Sequence, residues 1–355
     1  MTLEDLGYTD DLEKQRQGLH PGSFGIGRVT QEHKDRYTIS TESHELEGEL
    51  IGNLRFSASS RNDFPAVGDW VAISEYDEGK ALIHAILPRY SVLERQAVGK
   101  FGEKQIIACN IDYSIIVQSV NRDFSLNRLE RYLTICHAAH ISPIIVISKI
   151  DLAEKHEVKT LLEKLNHRIK AVPFIPLSNE THDGIEELKK YLYKGKTYCL
   201  LGSSGVGKSS LINSLSGESK MKIGEISDSV NRGKHITTHR ELIPMVQGAI
   251  LIDNPGMREV GITESYGGLE NTFEKIYKLV RQCKFSDCQH TTEIGCAVKT
   301  ALEKGEIDAA AFENFLKMER EKEHYESTIV EKRKKDKDFG KMIKQIKKDR
   351  KSNKY

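Results

Sequence analysis

The stretch Leu201–Ser210, LGSSGVGKSS, constrains this chain more than any other. Gly202, the four residues Ser203, Ser204, Gly205 and Val206, and then Gly207, Lys208 and Ser209 complete the pattern G-x-x-x-x-G-K-[ST], and Ser210 continues it. The run Lys196–Leu201 before it is apolar enough for a buried strand. The run Ser209–Leu215 after it has Leu211, Ile212 and Leu215 at helical spacing. Glycines there let backbone N–H groups turn inward around a phosphate chain, and the helix end adds roughly half a positive charge. Lys208 is placed to reach the β- and γ-phosphates and Ser209 to ligate Mg²⁺.

The rest must therefore supply a sheet around that loop. The chain has 355 residues, enough for two or three domains, and a net charge of +1. That near-neutral total conceals a basic end: Lys332–Tyr355 holds twelve Lys or Arg against three Asp. No apolar run is long enough to span a membrane. The opening MTLEDLGYTDDLEK is acidic and carries no apolar core, so no leader is expected. Of six cysteines, Cys109, Cys136 and Cys199 lie in apolar runs and Cys283, Cys288 and Cys296 cluster. This usage suits a reducing, cytoplasmic setting better than a disulfide framework.

Residues 1–24 read as a polar lead-in. From Gly25, short β segments are expected at Gly25–Thr30, Arg36–Thr41, Glu45–Ile51, Trp70–Ser74 and Lys80–Ile86, separated by turn signals. Five short strands within residues 25–100 suit a barrel of the oligonucleotide-binding (OB) type. Arg28, Arg36, Arg55, Arg61, Arg89 and Arg95 lie on or beside them, either as a nucleic-acid-facing surface or as ordinary solvated charge. Residues 101–261 alternate strand and helix. Strands are expected at Asp112–Val120, Pro143–Ile147, Lys170–Ile175, Glu241–Val246 and Gly248–Asp253, with helices at Asn127–Ala139, Glu157–Ile169 and Asp183–Leu192. That alternation predicts a mostly parallel sheet covered on both faces. Residues 262–330 read as helical, and 331–355 as a basic tail.

Two strand-end segments accompany the phosphate loop. Ile250–Asp253 is an apolar strand ending in D-x-x-G, which puts Asp253 near the metal and the Gly256 N–H near the γ-phosphate. Ser148-Lys149-Ile150-Asp151 resembles N-K-x-D, in which the aspartate accepts two N–H bonds from the guanine edge. Adenine cannot supply them, and a site built on paired polar groups rejects the wrong base strongly. Serine in place of asparagine offers fewer hydrogen bonds, so selectivity is expected to rest on Asp151, with weaker affinity. Ser178, after the next strand, matches a third guanine contact. The guanine segment precedes the phosphate loop here, whereas ordinary GTPases have the reverse order. The chain thus reads as a circularly permuted GTPase.

Cys283-x₄-Cys288-x-His290-x₅-Cys296 supplies three thiolates and one imidazole at the spacing of structural Zn²⁺. One zinc per chain is expected, stabilising a helical domain too small to bury much core alone. The basic tail is suited to neutralising several phosphates.

On these features the chain resembles the ribosome-small-subunit-dependent GTPase A (RsgA) family, from about Gly25 to Leu316. The resemblance rests on Pro65–Val71, Asn127–Leu133, the phosphate loop, Gly233–Thr238, Asp253–Gly256, the Cys/His cluster and the permuted order. It implies a circularly permuted α/β P-loop GTPase domain, an N-terminal OB-type β-barrel and a C-terminal helical zinc-binding domain. It implies GTP hydrolysis in late maturation of the small ribosomal subunit, with the barrel and zinc domain gripping rRNA and hydrolysis stimulated by the subunit. The family's switch motif is matched by Gly233, His235, Thr237 and Thr238, with Ile236 departing. One of the two threonines would complete the Mg²⁺ shell, Thr237 being the first candidate and Thr238 the alternative. Met257 stands where Ras-like enzymes carry a water-orienting glutamine, and His235 is the candidate replacement. A cytoplasmic monomer is expected. Two rival readings are a permuted GTPase with another RNA or protein target, and an RNA-binding module whose nucleotide site is structural.

Overall fold

The computed structural model describes residues 2–19, 24–33, 36–96, 104–121, 124–216, 241–253 and 267–324. The lead-in forms helix α1 (Asp10–Leu19). It is not merely a polar extension: Leu6 and Leu12 are buried against Trp70, Ala72 and Leu87 of the barrel.

The barrel comprises β1 (Gly25–His33), β2 (Arg36–Ser40), β3 (Glu45–Leu50), the short helix α2 (Gly52–Ser57), β4 (Trp70–Asp77) and β5 (Lys80–Ile86). The strands hydrogen-bond in the order β1-β2-β3-β5-β4, and β4 returns to pair with β1. The sheet therefore closes without an edge. Only the β3–β5 contact is parallel among these pairings. Alternating residues fill the interior, among them Val29, Ile39, Leu46, Val71, Ile73 and Ile83.

The structure corrects the nucleic-acid reading for two of the six arginines. Arg28 is buried under the Trp70 ring and donates to the carbonyls of Leu6, Gly68 and Asn110 and to Thr197 Oγ1. It ties lead-in, barrel and the following domain together. Arg89 grips the buried Asp69 carboxylate at 2.9 and 2.7 Å and donates to the Asn62 and Phe64 carbonyls. Their charge is used inside the protein.

A second departure follows the barrel. Strands β6 (Val92–Gln96) and β7 (Lys104–Cys109) pair as an antiparallel ribbon, so the α/β alternation begins later than Gln105.

That alternation runs β8 (Tyr113–Ser119), α3 (Leu126–Ala138), β9 (Ser142–Ser148), α4 (Lys155–Arg168), β10 (Phe174–Leu177), α5 (Ile185–Lys189), β11 (Thr197–Leu201), α6 (Lys208–Ser216), β12 (Glu241–Pro244) and β13 (Ile250–Asp253). The expected strand at Lys170–Ile175 starts only at Phe174, after a turn in which Ala171 has φ of 58°. Strand order is β10-β9-β8-β11-β13-β12, parallel except for β12, which joins β1 through Gln31 and Glu241. Alternate residues of each strand enter opposite cores. Ile116, Ile145 and Ile147 pack with Leu129, Leu133 and Leu165 of α3 and α4. Ile115, Val117 and Val146 pack with Leu188, Leu211 and Leu215 of α5 and α6.

The C-terminal part contains α7 (Gly268–Thr272), α8 (Glu274–Val280), α9 (Ala297–Glu303) and a helix α10 over 309–324. Its core centres on Phe273, Ile276, Val298, Phe315 and Met318. It docks on α3. A Cβ on Gly268 would stand 2.4 Å from the Thr134 carbonyl oxygen, so only glycine allows this close approach. Glu130 of α3 accepts from Arg168 at 2.6 and 2.9 Å and from Asn314 at 2.6 Å. Arg131 meets the Glu321 carboxylate at 2.7 and 2.6 Å.

Candidate nucleotide site and metal centre

The carboxyl ends of β9, β10, β11 and β13 meet along one rim of the sheet, the edge where open α/β folds bind ligands. The sequence-predicted segments all leave from it. Ser148 ends β9 and lies opposite Ser119 of β8 and Leu177 of β10. Ser178 follows β10, the phosphate loop follows β11, and Asp253 ends β13. Because β8 and β11 separate β9 from β13, the guanine-type segment and Asp253 flank the phosphate loop.

The guanine-type segment, the turn after β10 and the phosphate loop are cross-linked. Ser148, fully buried, donates from Oγ to the Val206 carbonyl at 2.6 Å. The guanine-type segment is thus bonded to the phosphate loop despite the missing asparagine. Lys149 adopts φ of 60°, which turns the chain so that Asp151 faces Ser178. Ser178 Oγ donates to Asp151 Oδ1 and accepts from the N–H groups of Glu180 and Thr181, fixing the carboxylate.

Within the loop, Gly202, Gly205 and Gly207 have φ of 150°, 78° and 94°. A Cβ on Gly202 would lie 2.4 Å from the Val117 carbonyl oxygen, and one on Gly207 2.9 Å from Asn179 Nδ2. Lys208 Nζ donates to the carbonyls of Gly202 and Ser203 at 2.8 and 2.6 Å, folding along the loop it would neutralise. Ser204 and Gly205 are exposed, and Ser209 and Ser210 are half-buried in the first turn of α6.

Two contacts escape a sequence reading. Asn179 Nδ2 donates to the Gly207 carbonyl at 3.2 Å, a second tie from the base side to the phosphate loop. Arg128 Nη1 donates to Ser203 Oγ at 2.7 Å, so the first turn of α3 also holds the loop. The only sequence signal for Asn179 was its place beside Ser178. Arg128 gave none beyond its position near a helix start. Of the remaining predicted residues, His235, Thr237, Thr238 and Gly256 lie outside the described residues, as does the basic tail.

The Cys/His cluster comes together as expected. The ligand atoms of Cys283, Cys288, His290 and Cys296 lie within 4.8 Å of one another. Cys283 and Cys296 Sγ are 3.9 Å apart, and His290 Nδ1 is 3.6 and 3.5 Å from them. Tetrahedral Zn²⁺ with ordinary bond lengths requires about 3.8 Å between sulfurs and about 3.6 Å between sulfur and nitrogen. The cluster therefore fits a closed structural zinc site. Glu293 shapes the intervening loop: N–H groups of its own residue, Gln289, Thr291 and Thr292 hold its carboxyl at about 2.

The family model described as RsgA GTPase matches residues 86–263. The ABC transporter model matches residues 185–347, a span that includes the phosphate loop common to both kinds of nucleotide hydrolase. The chain is 43% identical over 321 residues to Small ribosomal subunit biogenesis GTPase RsgA 2 of Listeria monocytogenes serotype 4b, covering 90% of this chain and 89% of that one. It is 44% identical over 296 residues to the protein of the same name from Lactiplantibacillus plantarum, covering 83% of each. Among solved structures, YjeQ from Thermotoga maritima matches with a TM-score of 0.62 and 28% identity, covering 83% of this chain and 97% of that chain. YloQ, a circularly permuted GTPase, matches with a TM-score of 0.61 and 25% identity, covering 86% and 97%. Motifs, permuted order, strand arrangement and likeness over most of the chain agree: the chain belongs to the RsgA GTPase family.

Proposed function

We propose that this protein hydrolyses GTP as an assembly factor of the small ribosomal subunit, with hydrolysis stimulated by the subunit and coupled to release. One observation carries the reading. The guanine-type segment, the phosphate loop and Asp253 share one sheet rim, and the first two are hydrogen-bonded to each other through Ser148 and Val206. The relatives named small ribosomal subunit biogenesis GTPase supply the target.

In this mechanism Asp151 accepts the guanine N–H pair, held in position by Ser178, while Lys149 lines the base. Backbone N–H groups of Ser203–Ser210 surround the phosphates, and Lys208 moves from the loop carbonyls onto the β- and γ-oxygens. Ser209, one of Thr237 or Thr238, and Asp253 would hold Mg²⁺, which would supply positive charge against the phosphates. The Gly256 N–H contacts the γ-phosphate. Water, oriented by His235, attacks the γ-phosphorus; the bond to the β–γ bridging oxygen breaks, and GDP and phosphate leave. Hydrolysis by the isolated protein is slow because no built-in glutamine orients the water. The working parts are the barrel within 25–100, the permuted domain within 101–261 and the zinc-stabilised helices within 262–330. The barrel, the zinc domain and the tail beyond 331 contact rRNA, and the protein works as a cytoplasmic monomer.

The test is GTP turnover with purified ribosomal subunits. Small subunits accelerate it at least tenfold and large subunits do not; equal or absent stimulation refutes the assignment. Replacing Lys208 with alanine abolishes the accelerated rate.

A further inference from the structure

Away from the nucleotide site, the barrel and the β6–β7 ribbon enclose an open cavity of about 590 Å³. That volume lies within the range of small-ligand sites. Its lining is mixed, with Tyr37, Phe64, Leu50 and Ile106 supplying aromatic and aliphatic surface. Two guanidinium groups line it, Arg55 from α2 and Arg61 from the 3₁₀ turn Arg61–Asp63. One carboxylate, Glu32, stands 3.8 Å from Arg61, so the lining keeps a net positive charge. Gln105 also lines it and is held from behind by Arg95 at 3.3 and 3.2 Å. No residue of the cavity belongs to the phosphate loop or the guanine-type segment.

The turn that presents Arg61 is pre-formed. Asp63 accepts from the Ser59 and Ser60 N–H groups at 2.8 Å each, and Ser60 Oγ caps Asn62. Of the six arginines of the barrel region, Arg28 and Arg89 are locked inside, while Arg55 and Arg61 converge here from separate segments. Aromatic and aliphatic surface beside two guanidinium groups suits a planar ring carrying a phosphate. Single-stranded RNA offers that combination when a base is splayed out of its stack; double-stranded RNA does not.

We infer that this cavity holds one unstacked nucleotide of an RNA strand, its base against Phe64 and Ile106 and its phosphate at Arg55 and Arg61. This rests on the rRNA-binding reading above and gives it a specific seat on the barrel.

The test uses the full chain and a short single-stranded RNA carrying 4-thiouridine, with the matching duplex and free uridine monophosphate as separate arms. The strand binds more tightly than the duplex or the monophosphate, and ultraviolet cross-links fall on the peptide containing Phe64. The double variant Arg55→Ala/Arg61→Ala loses at least tenfold in strand affinity, and its slope of log affinity against log salt becomes shallower by about 0.7, one phosphate contact being lost. Arg61 is largely exposed, and a thermal melt of each variant checks that the fold is kept. Duplex binding equal to the strand, monophosphate binding equal to the strand, cross-links elsewhere, or unchanged affinity in a folded double variant each overturn the inference. Subunit-stimulated GTP turnover of the unvaried chain is measured on the same preparation. Loss of that stimulation counts against the proposed function, whereas the strand arms judge the cavity alone.

Discussion

Ser148 Oγ donates to the Val206 carbonyl at 2.6 Å, joining the segment proposed to read guanine to the loop proposed to hold phosphate. Removing the hydroxyl leaves a buried carbonyl without this donor, a loss of about 1–3 kcal/mol. Ser148→Ala is therefore expected to weaken GDP binding roughly 5- to 150-fold. Titration with a fluorescent GDP analogue checks it; unchanged affinity shows that the two segments do not act as one unit.

The phosphate loop tolerates no side chain at Gly207. Its φ of 94° is left-handed, and a Cβ would press on Asn179 Nδ2 at 2.9 Å. Such strain costs about 1–3 kcal/mol. Gly207→Ala should lose at least tenfold in nucleotide affinity while the isolated zinc content stays constant. Asn179→Ala, which removes the obstruction along with the tie to Gly207, should partly relieve the Gly207→Ala defect, and a double-mutant cycle measures the coupling.

Much of this site is legible in the sequence because its pieces are local. Strand–loop–helix spacing around Gly202–Ser209 and the Cys283–Cys296 cluster specify their own geometry over short stretches of chain. What escaped is what only the packed fold brings together. Arg28 becomes a buried fastener because Leu6, Gly68, Asn110 and Thr197, all distant in sequence, present acceptors to it. The β6–β7 ribbon is short and carries Glu94 and Arg95, so its pattern is weak until β7 pairs with it. Arg128 reaches Ser203 only because β8 and β11 are neighbours, a sheet order that no local pattern encodes.

The zinc centre should prove structural. Cys288→Ser removes one of four ligands, and the small core around Phe273 and Phe315 then lacks its staple. Purified protein should carry about one zinc per chain, and the variant much less, with early proteolysis confined to the region after residue 267. Metal analysis and limited proteolysis check both; a metal-free protein with an intact C-terminal region would contradict the assignment.

The dock between α3 and the C-terminal helices rests on a buried ion pair. Glu130 and Arg168 have side chains only 4% and 7% exposed, and Asn314 of α10 shares the carboxylate. Breaking such a pair from one side costs about 3–5 kcal/mol, because a buried charge loses its partner. Arg168→Ala should lower the denaturation midpoint and expose α10 amides to hydrogen exchange before those of β8 and β9.

The same dock predicts an acid limit. Burial between α3 and α7 holds the His137 imidazole below its ordinary 6.5. Below that value the unfolded chain takes up a proton that the folded one refuses. Stability is therefore complete above about 6.5 and falls as pH drops through the folded value. The stability difference between the parent and His137→Gln should shrink from pH 7.5 to pH 5.5 in matched thermal melts; a difference that widens towards acid pH reverses the sign and refutes it.

The central claim is that Asp151, Lys208 and Asp253 serve one guanine nucleotide. Competition for a bound, fluorescent GTP analogue tests it most directly. The account predicts displacement by GTP and GDP at concentrations at least a hundredfold below those needed with ATP, with Asp151→Ala collapsing the difference. Displacement by ATP as readily as by GTP would contradict it.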